Sequence, residues 1–338
     1  MRVVEHAPLQ SFNTFHVAAN ARYLVTLESP DELTAFLADS RFSGLPLFVL
    51  GGGSNLLLTG DFAGVMLCPR FMGREVLSQE VERVRLRACA GESWDGFVDW
   101  AVAQGFAGLE NLSCIPGHVG AAPVQNIGAY GVELQDVVER VEALDLSTGA
   151  AVSFTRDDCQ FAYRDSVFKR NPGRYLITAV VFSLAGKFAP RLDYPGVPAA
   201  LAAQQDEGPL SPARVRQAIC AVRYGKLPDP AVLGNAGSFF KNPLVSQSLA
   251  DSLKGEYASM PVYPAAAGLA KIPAAWLIEQ CGFKGYRAGD AGVHEKHALV
   301  LVNYGQATGA ELWALAEKIR LAVRQRFGVE LEPEPNRL

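Results

Sequence analysis

The hydrophobic and polar positions of this chain change period several times, and each change marks an element. In ARYLVTL (21–27) the pattern is that of a strand. SPDE (29–32) then places a serine, a proline and a glutamate to cap and open a helix running to about Ala38. LPLFVL (45–50) is a continuous apolar run, predicted as a buried strand that leads straight into GGGSN. VRLRACA (84–90) reads as another strand, after which Ser93 caps a helix with Trp94, Phe97, Val98 and Ala101 on one face. From 137 to 184, VERVEALDL, AAVSFT and YLITAVVFSL predict a mostly stranded region divided by polar turns.

Residues 186–212 are rich in Ala, Pro and Gly and read as connection. SPARVRQAICAVR (211–223) predicts a helix opened by Ser211 and Pro212. KIPAAWLIEQCG gives a short helix stopped by Gly282, and HALVLVN a strand. TGAELWALAEKIRLAVRQRFG carries the fullest helical signature. Thr308 and Glu311 form a capping box, and Leu312, Leu315, Ala316, Ile319 and Val323 an apolar stripe. Strands and helices without regular alternation predict an α+β fold with no internal repeat and a boundary near 210–225.

At 338 residues the chain exceeds what one core usually organises, so two or three domains are expected. A net charge of −4 without a basic block argues against non-specific nucleic-acid binding. Six scattered cysteines (68, 89, 114, 159, 220, 281) form no CxxC pair and read as small core thiols of a reducing compartment. The N-terminus lacks an apolar signal core and no run approaches a membrane span, so a cytoplasmic location and no membrane partner are expected. His294 and His297 in VHEKH are not a zinc motif, and no metal is expected.

Two glycine loops carry candidate chemistry. FVLGGGSNLLL (48–58) is a strand followed by a glycine turn, which either gathers backbone N–H groups around a pyrophosphate or simply reverses the chain. NLSCIPGHVGAAPVQNIGAYGVEL (111–134) is broken by glycines and two prolines and carries the amides of Gln125 and Asn126, able to read a heterocycle edge. Together they suggest a large, flat, anionic cofactor; two structural loops of a β-rich domain are the alternative. GNAGSFFKNP (234–243) sets Ser238 on minimal side-chain bulk before two phenylalanines; such a serine is either a reactive hydroxyl or a turn residue.

LGGGSNLLL, IPGHVGAAPVQNIGAYGVEL, YRDSVFK (163–169) and GNAGSFFKNP, in this order, resemble the UDP-N-acetylenolpyruvoylglucosamine reductase family, also called UDP-N-acetylmuramate dehydrogenases, over nearly the whole chain. The YRDS segment and Tyr194 resemble the subtype with a tyrosine loop over the substrate. The resemblance implies a two-lobed FAD-binding domain of the vanillyl-alcohol-oxidase (PCMH) type over 1–215, with subdomains of about 1–65 and 66–215. It also implies a smaller α+β substrate-binding domain over 224–323 and a tail, 324–338, returning to the flavin domain.

Non-covalent FAD is implied at Gly51, Gly52, Gly53, Ser54, Asn55, Leu56, Ile115, Pro116, Gly117, Gly120, Ala121, Gln125, Asn126, Gly128 and Ala129. NADPH is the implied co-substrate, and the enolpyruvyl ether of UDP-N-acetylglucosamine the implied substrate, reduced for peptidoglycan synthesis by a monomer. Tyr130, Tyr194, Lys226 and Asn242 match substrate-contacting positions; His297, where some relatives carry glutamine, is given at most a substrate hydrogen bond, and Lys241 and Arg223 read as readily as solvated surface charges as contacts.

The reaction implied delivers hydride from FAD N5 to the vinyl carbon, leaving an enolate to be protonated. Arg164 matches the cation on the carboxylate, Ser238 the proton donor, and Glu334 a carboxyl that helps only if it carries or shares a proton. At about 4 Å and an effective dielectric near 20, one such cation is worth roughly 4 kcal/mol, enough to matter. A surface Arg164 pairing with Asp165 is the plain alternative, and Phe239 and Phe240 would exclude water. Glu332 competes with Glu334, because the chain departs from the family after Glu334, reading PNRL. A flavin oxidase, or a binding module without turnover, would need no proton donor.

Overall fold

The structure, a computed structural model, describes residues 1–205, 208–266 and 268–338. Two compact units emerge. The first comprises Met1–Ala7, Ala21–Gly53 and Ala63–Gly225, and the second Pro8–Asn20, Ser54–Phe62 and Lys226–Leu338. The expected boundary near 210–225 therefore stands beside an observed division at 225/226. Two early segments assigned from sequence to the first domain belong to the second unit.

In the first unit a four-stranded sheet has the order Arg2–Pro8, Asn20–Leu27, Phe62–Pro69, Leu47–Val49, the last pair parallel with Leu47 opposite Val65. A five-stranded antiparallel sheet runs Ala151–Thr155, Val138–Asp145, Tyr175–Ala185, Arg83–Cys89, Arg74–Gln79. The alternation in 84–90 has a simple cause. Val84, Leu86 and Ala88 are buried, while Arg85 and Arg87 reach across to Glu139 and Glu142 at 2.5 and 2.9 Å on the other face. The helix Trp94–Ala103 starts where Ser93 accepts the Gly96 N–H, and packs Phe97 on Phe182 with ring centroids 4.8 Å apart.

Local differences from the sequence reading have local causes. Ser29 does not cap the first helix, which spans Glu32–Ala38; the Glu32 carboxylate instead accepts the Glu28 N–H and the N-terminal amine. The apolar run at 45–50 yields only a three-residue strand, half-buried rather than buried. Within the predicted connection a helix, Val197–Ala202, follows Gly196 at φ 98°; residues 206 and 207 of that stretch lie outside the described residues. The reading of all cysteines as free core thiols is overturned. Cys114 and Cys220 form a disulfide, while Cys68 and Cys159 are buried thiols pushed up by burial to about 11 and about 12.

The second unit centres on the helix Gly309–Phe327, opened by the Thr308/Glu311 capping box and closed by Gly328 at φ 67°. Its apolar stripe packs with Phe15, Phe239, Phe240 and Leu301 in one core. One sheet has the order Gly234–Asn235, Leu301–Asn303, Ala291–Val293, Arg287–Ala288. The early segments join this unit through specific bonds: Asn235 donates its N–H to the Thr14 carbonyl at 2.9 Å, and Asn303 Nδ2 donates to the Phe15 carbonyl at 2.9 Å. The C-terminal residues Asn336–Arg337 lie parallel to Leu56–Leu57, just beyond the first glycine turn.

Candidate active site

In the first unit the two glycine loops lie on one another. A Cβ on Gly52 would stand 2.9 Å from the Gly117 Cα, and one on Gly51 3.2 Å from the Ala121 Cβ; one on Gly120 would stand 2.5 Å from the Ala90 Cβ. These glycines are required by close backbone packing before any ligand is considered. The second loop is pinned in turn: Trp94 N–H donates to Gly117 O, Val119 N–H to Glu92 O, and Gly120 N–H to Ala90 O, at 2.9–3.0 Å.

His118, passed over in the sequence, sets its imidazole against Gly51 and Gly52. Its Nδ1 is buried with no hydrogen-bond partner among the described residues, and burial, aided by Arg70, holds the ring below its usual range and so neutral. An orphaned polar atom beside a glycine cradle fits a polar cofactor such as FAD. The signal was present as a lone histidine inside IPGHVG.

Asn126 behaves differently from the expectation that its amide reads a heterocycle. It is buried at φ 43°, and its Nδ2 donates to Glu133 Oε2 at 2.8 Å and to Ala162 O at 3.1 Å. Its Oδ1 accepts the Gln135 N–H at 3.0 Å. Both donors are thus spent on holding the loop. Gly128–Ala129 pairs with Val132–Glu133 in a hairpin whose two tip residues, Tyr130 (φ 51°) and Gly131 (φ 82°), both occupy the left-handed region of a type I′ turn. Asn111 Nδ2 donates to Tyr130 O and Arg191 O, at 2.8 and 2.9 Å, and Tyr130 meets Tyr194 edge-on at 4.9 Å. Tyr194 is exposed, and burial raises the Tyr130 phenol, the charge of Arg223 opposing the rise.

Arg164 joins this hairpin. Its Nη2 donates to the Gly128 carbonyl at 2.8 Å, and its guanidinium lies over the Tyr163 ring. Tyr163 and Arg164 form a two-residue reversal closed by Ala162 and Asp165, with Arg164 itself at φ 56°. A non-glycine residue there costs about 1–3 kcal/mol, and such outliers cluster at functional sites. Asp165 pairs with Arg170.

In the second unit Ser238 follows Gly237 at φ 69°, around which a Cβ would meet nothing within 4 Å. The glycine is therefore needed for its conformation. Asn235 Oδ1 accepts the Gly237 N–H at 2.9 Å and fixes the turn. Phe239 and Phe240 are fully buried, Phe239 against Phe15 and Trp313, so these rings anchor the segment in the core instead of forming a wall around the hydroxyl. On one side the Phe239 N–H donates to Leu299 O at 2.7 Å, and on the other the Glu334 N–H donates to Phe239 O at 2.9 Å. Asn55 Nδ2 reaches the Glu334 carbonyl at 3.2 Å. Phe239, the residue after Ser238, is thus bonded to the 297–299 turn on one side and to Glu334 on the other, with Asn55 on the Glu334 carbonyl.

His297 accepts the Leu299 N–H on Nδ1 at 3.3 Å; burial, then the Lys226 charge, hold it below its usual range. Lys226 itself is exposed. Asn242 Oδ1 accepts the Ala274 N–H at 2.9 Å, at the start of the helix Ala274–Gln280. Glu332, the competing carboxylate, is exposed and paired with Lys241 at 2.5 Å. Among the described residues no cluster of three His, Cys, Asp or Glu side chains could hold a metal, and no helix is long and apolar enough to cross a membrane.

Comparison with known proteins bears on both units. Residues 21–155 match the family model of an FAD binding domain, which places the glycine loops in the class of FAD-binding proteins. Residues 229–338 match the C-terminal domain of UDP-N-acetylenolpyruvoylglucosamine reductase. The chain is 50% identical over 332 residues to the reductase of that name from Pseudomonas putida, covering 98% of each. It is 51% identical over 338 residues to that from Pseudomonas aeruginosa, covering 99% of each. The crystal structure of UDP-N-acetylenolpyruvylglucosamine reductase from Thermus caldophilus superposes with a TM-score of 0.67 at 25% identity, over 99% of this chain and 98% of that one. The chain belongs to the UDP-N-acetylenolpyruvoylglucosamine reductase family.

Proposed function

We propose that this chain reduces the enolpyruvyl ether of UDP-N-acetylglucosamine to the muramate precursor of peptidoglycan, acting as a cytoplasmic flavoenzyme. The reading rests on identity of about half the residues, end to end, with reductases of that name. Bound FAD would supply the hydride-transfer chemistry that links NADPH to the vinyl carbon of the substrate. Gly51–Gly53, the 115–121 loop and His118 are the groups that would hold it.

The chain's own residues supply the rest. The Arg164 guanidinium, already turned toward a carbonyl oxygen, meets the substrate carboxylate with a planar fork and stabilises the charge that gathers there as the double bond is reduced. The Ser238 hydroxyl donates the proton to the carbon beside that carboxylate. Glu334, whose backbone N–H is tied to the Phe239 carbonyl next to Ser238, passes a proton toward the developing enolate. Glu332 is committed to Lys241 at the surface, which favours Glu334 for this role. Tyr130, Tyr194, Lys226, Asn242 and His297 bind the nucleotide-sugar end.

A half-reaction experiment tests this. The purified protein is expected to be yellow, to bleach anaerobically with NADPH and to regain colour on adding the enolpyruvyl nucleotide-sugar. Ser238→Ala should keep the first step and lose the second by about a hundredfold or more. Equal loss of both steps would mean that Ser238 serves folding, and a protein that binds no flavin would end the proposal.

A further inference from the structure

Two residues of the helix Pro212–Lys226, four apart and so on one face, each make a different bond to the segments that flank the cofactor loops. Arg216 forms a two-pronged ion pair with Asp95 at 2.6 and 3.0 Å. Cys220 is bonded to Cys114, with Cα atoms 6.0 Å apart across 106 residues of sequence. The same Asp95 carboxylate accepts the Cys114 N–H at 2.6 Å, and Cys114, at φ 60°, immediately precedes the Ile115–Ala121 loop. The loop that would hold FAD is therefore tied, at the residue just before it, by a covalent bond and by a hydrogen bond to an ion-paired carboxylate.

The other four cysteines are free thiols. A single disulfide among free thiols, joined to a ligand loop by its neighbours, differs from the multiple bridges that staple small secreted domains. Both sulfur-bearing residues are half-buried, so a small thiol or disulfide can approach them for exchange.

We infer that Cys114 and Cys220 form a reversible redox staple that sets how firmly the 115–121 loop is ordered, and hence how tightly the protein holds FAD. Forward chemistry balances with a small-molecule disulfide such as oxidised glutathione. One cysteine thiolate attacks a sulfur of that disulfide, forming a mixed disulfide and expelling one small thiolate. The second cysteine thiolate then attacks the protein sulfur of the mixed disulfide, expelling the other. The two cysteines lose two electrons, the oxidant becomes two thiols, and the cysteine protons end on them. Excess reduced thiol runs the sequence backwards.

The direction follows from ordering. A loop already fixed by the bond loses less freedom when cofactor binds, so the oxidised form binds FAD more tightly. Asp95 and Arg216 persist on reduction and keep the loop partly in place, which limits the effect to about tenfold in Kd.

The test uses the full chain equilibrated with oxidised or reduced glutathione. Thiol titration in denaturant should give four thiols after oxidation and six after reduction. Hydrogen exchange over residues 115–129 of the apoprotein should quicken on reduction, and FAD fluorescence titration should show Kd rising about tenfold. Cys220→Ser should match the reduced wild type in either buffer, and Cys220→Ala guards against a defect peculiar to serine. Six thiols after oxidation would overturn the inference. So would a bridge that forms while loop exchange stays unchanged, or while Kd changes less than about twofold. The inference rests on the FAD reading. Should no flavin bind in either state, that reading fails, and the exchange rates still decide whether the staple orders the loop.

Discussion

At the residue scale, glycines that look alike in the sequence do unlike work. Gly120 is needed because a side chain would run into Ala90, whereas Gly237 has open space and is needed only for its left-handed backbone. Alanine at the two sites should therefore fail in different ways. Gly237→Ala should cost about 1–2 kcal/mol in urea unfolding and leave flavin binding intact, because only the local conformation is penalised. Gly120→Ala should cost about 1–3 kcal/mol and also weaken FAD binding, since the loop must move away from Ala90. Unfolding midpoints paired with FAD titration check both; equal flavin affinity in the two variants would contradict the packing argument. The same scale shows why Asn126 misleads. Its amide sits in the right loop, but both of its donors are consumed by Glu133 and Ala162.

At the element scale, long amphipathic helices are autonomous enough to read and short strands are not. The Thr308/Glu311 box is present with both reciprocal bonds, as the pattern predicts. Thr308→Ala should lower stability by about 1 kcal/mol, visible as a lower Tm with turnover per bound flavin unchanged. A larger loss would mean that the start of this helix supports more than itself. That outcome has a structural rationale, because Gly309 is packed against the Leu58 carbonyl. The strands Leu56–Leu57 and Asn336–Arg337 illustrate the opposite case. Each is two residues long, carries no periodic signal, and exists only because the other is beside it.

At the scale of the whole molecule, three histidines contribute a common pH dependence. His118, His294 and His297 all lie below the ordinary value near 6.5, burial being the largest cause in each. The folded state therefore holds fewer protons than the unfolded chain as pH falls through that value. Their contribution to stability is complete above about pH 7 and is lost as acid charges the unfolded histidines. Asp95 adds to the fall only in more acid solution. Burial opposes its ionisation, but the Arg216 pair and the Cys114 N–H outweigh this and hold its carboxyl below the usual range. Thermal unfolding from pH 8 to 5 should thus show Tm level at first and declining below about 6.5, and His297→Gln should shallow the decline. A Tm that rises on acidification would refute the assignment.

Much of the fold class and the presence of two glycine loops is legible in the chain, because alternation, caps and breakers act over a few residues. The long helix at 309–327 and the strands at 20–27 and 83–89 are of this kind. Among the proposed site residues, Ser238 and Arg164 could be singled out by their motifs, but the left-handed turn that carries Arg164 could not. His118 was missed because a lone histidine in a loop carries no pattern; only the glycines packed beneath it make it notable.

The sequence by itself determined the family, the α+β character and the residue types of the candidate motifs, since these are written in contiguous stretches. Only the tertiary structure decided that residues 8–20 and 54–62 belong with the C-terminal unit and that Cys114 meets Cys220. It also separated Glu332 at the surface from Glu334 beside the serine segment. Each of these depends on contacts between residues distant in the chain. A pattern that repeats every two or four residues carries no information about such partners.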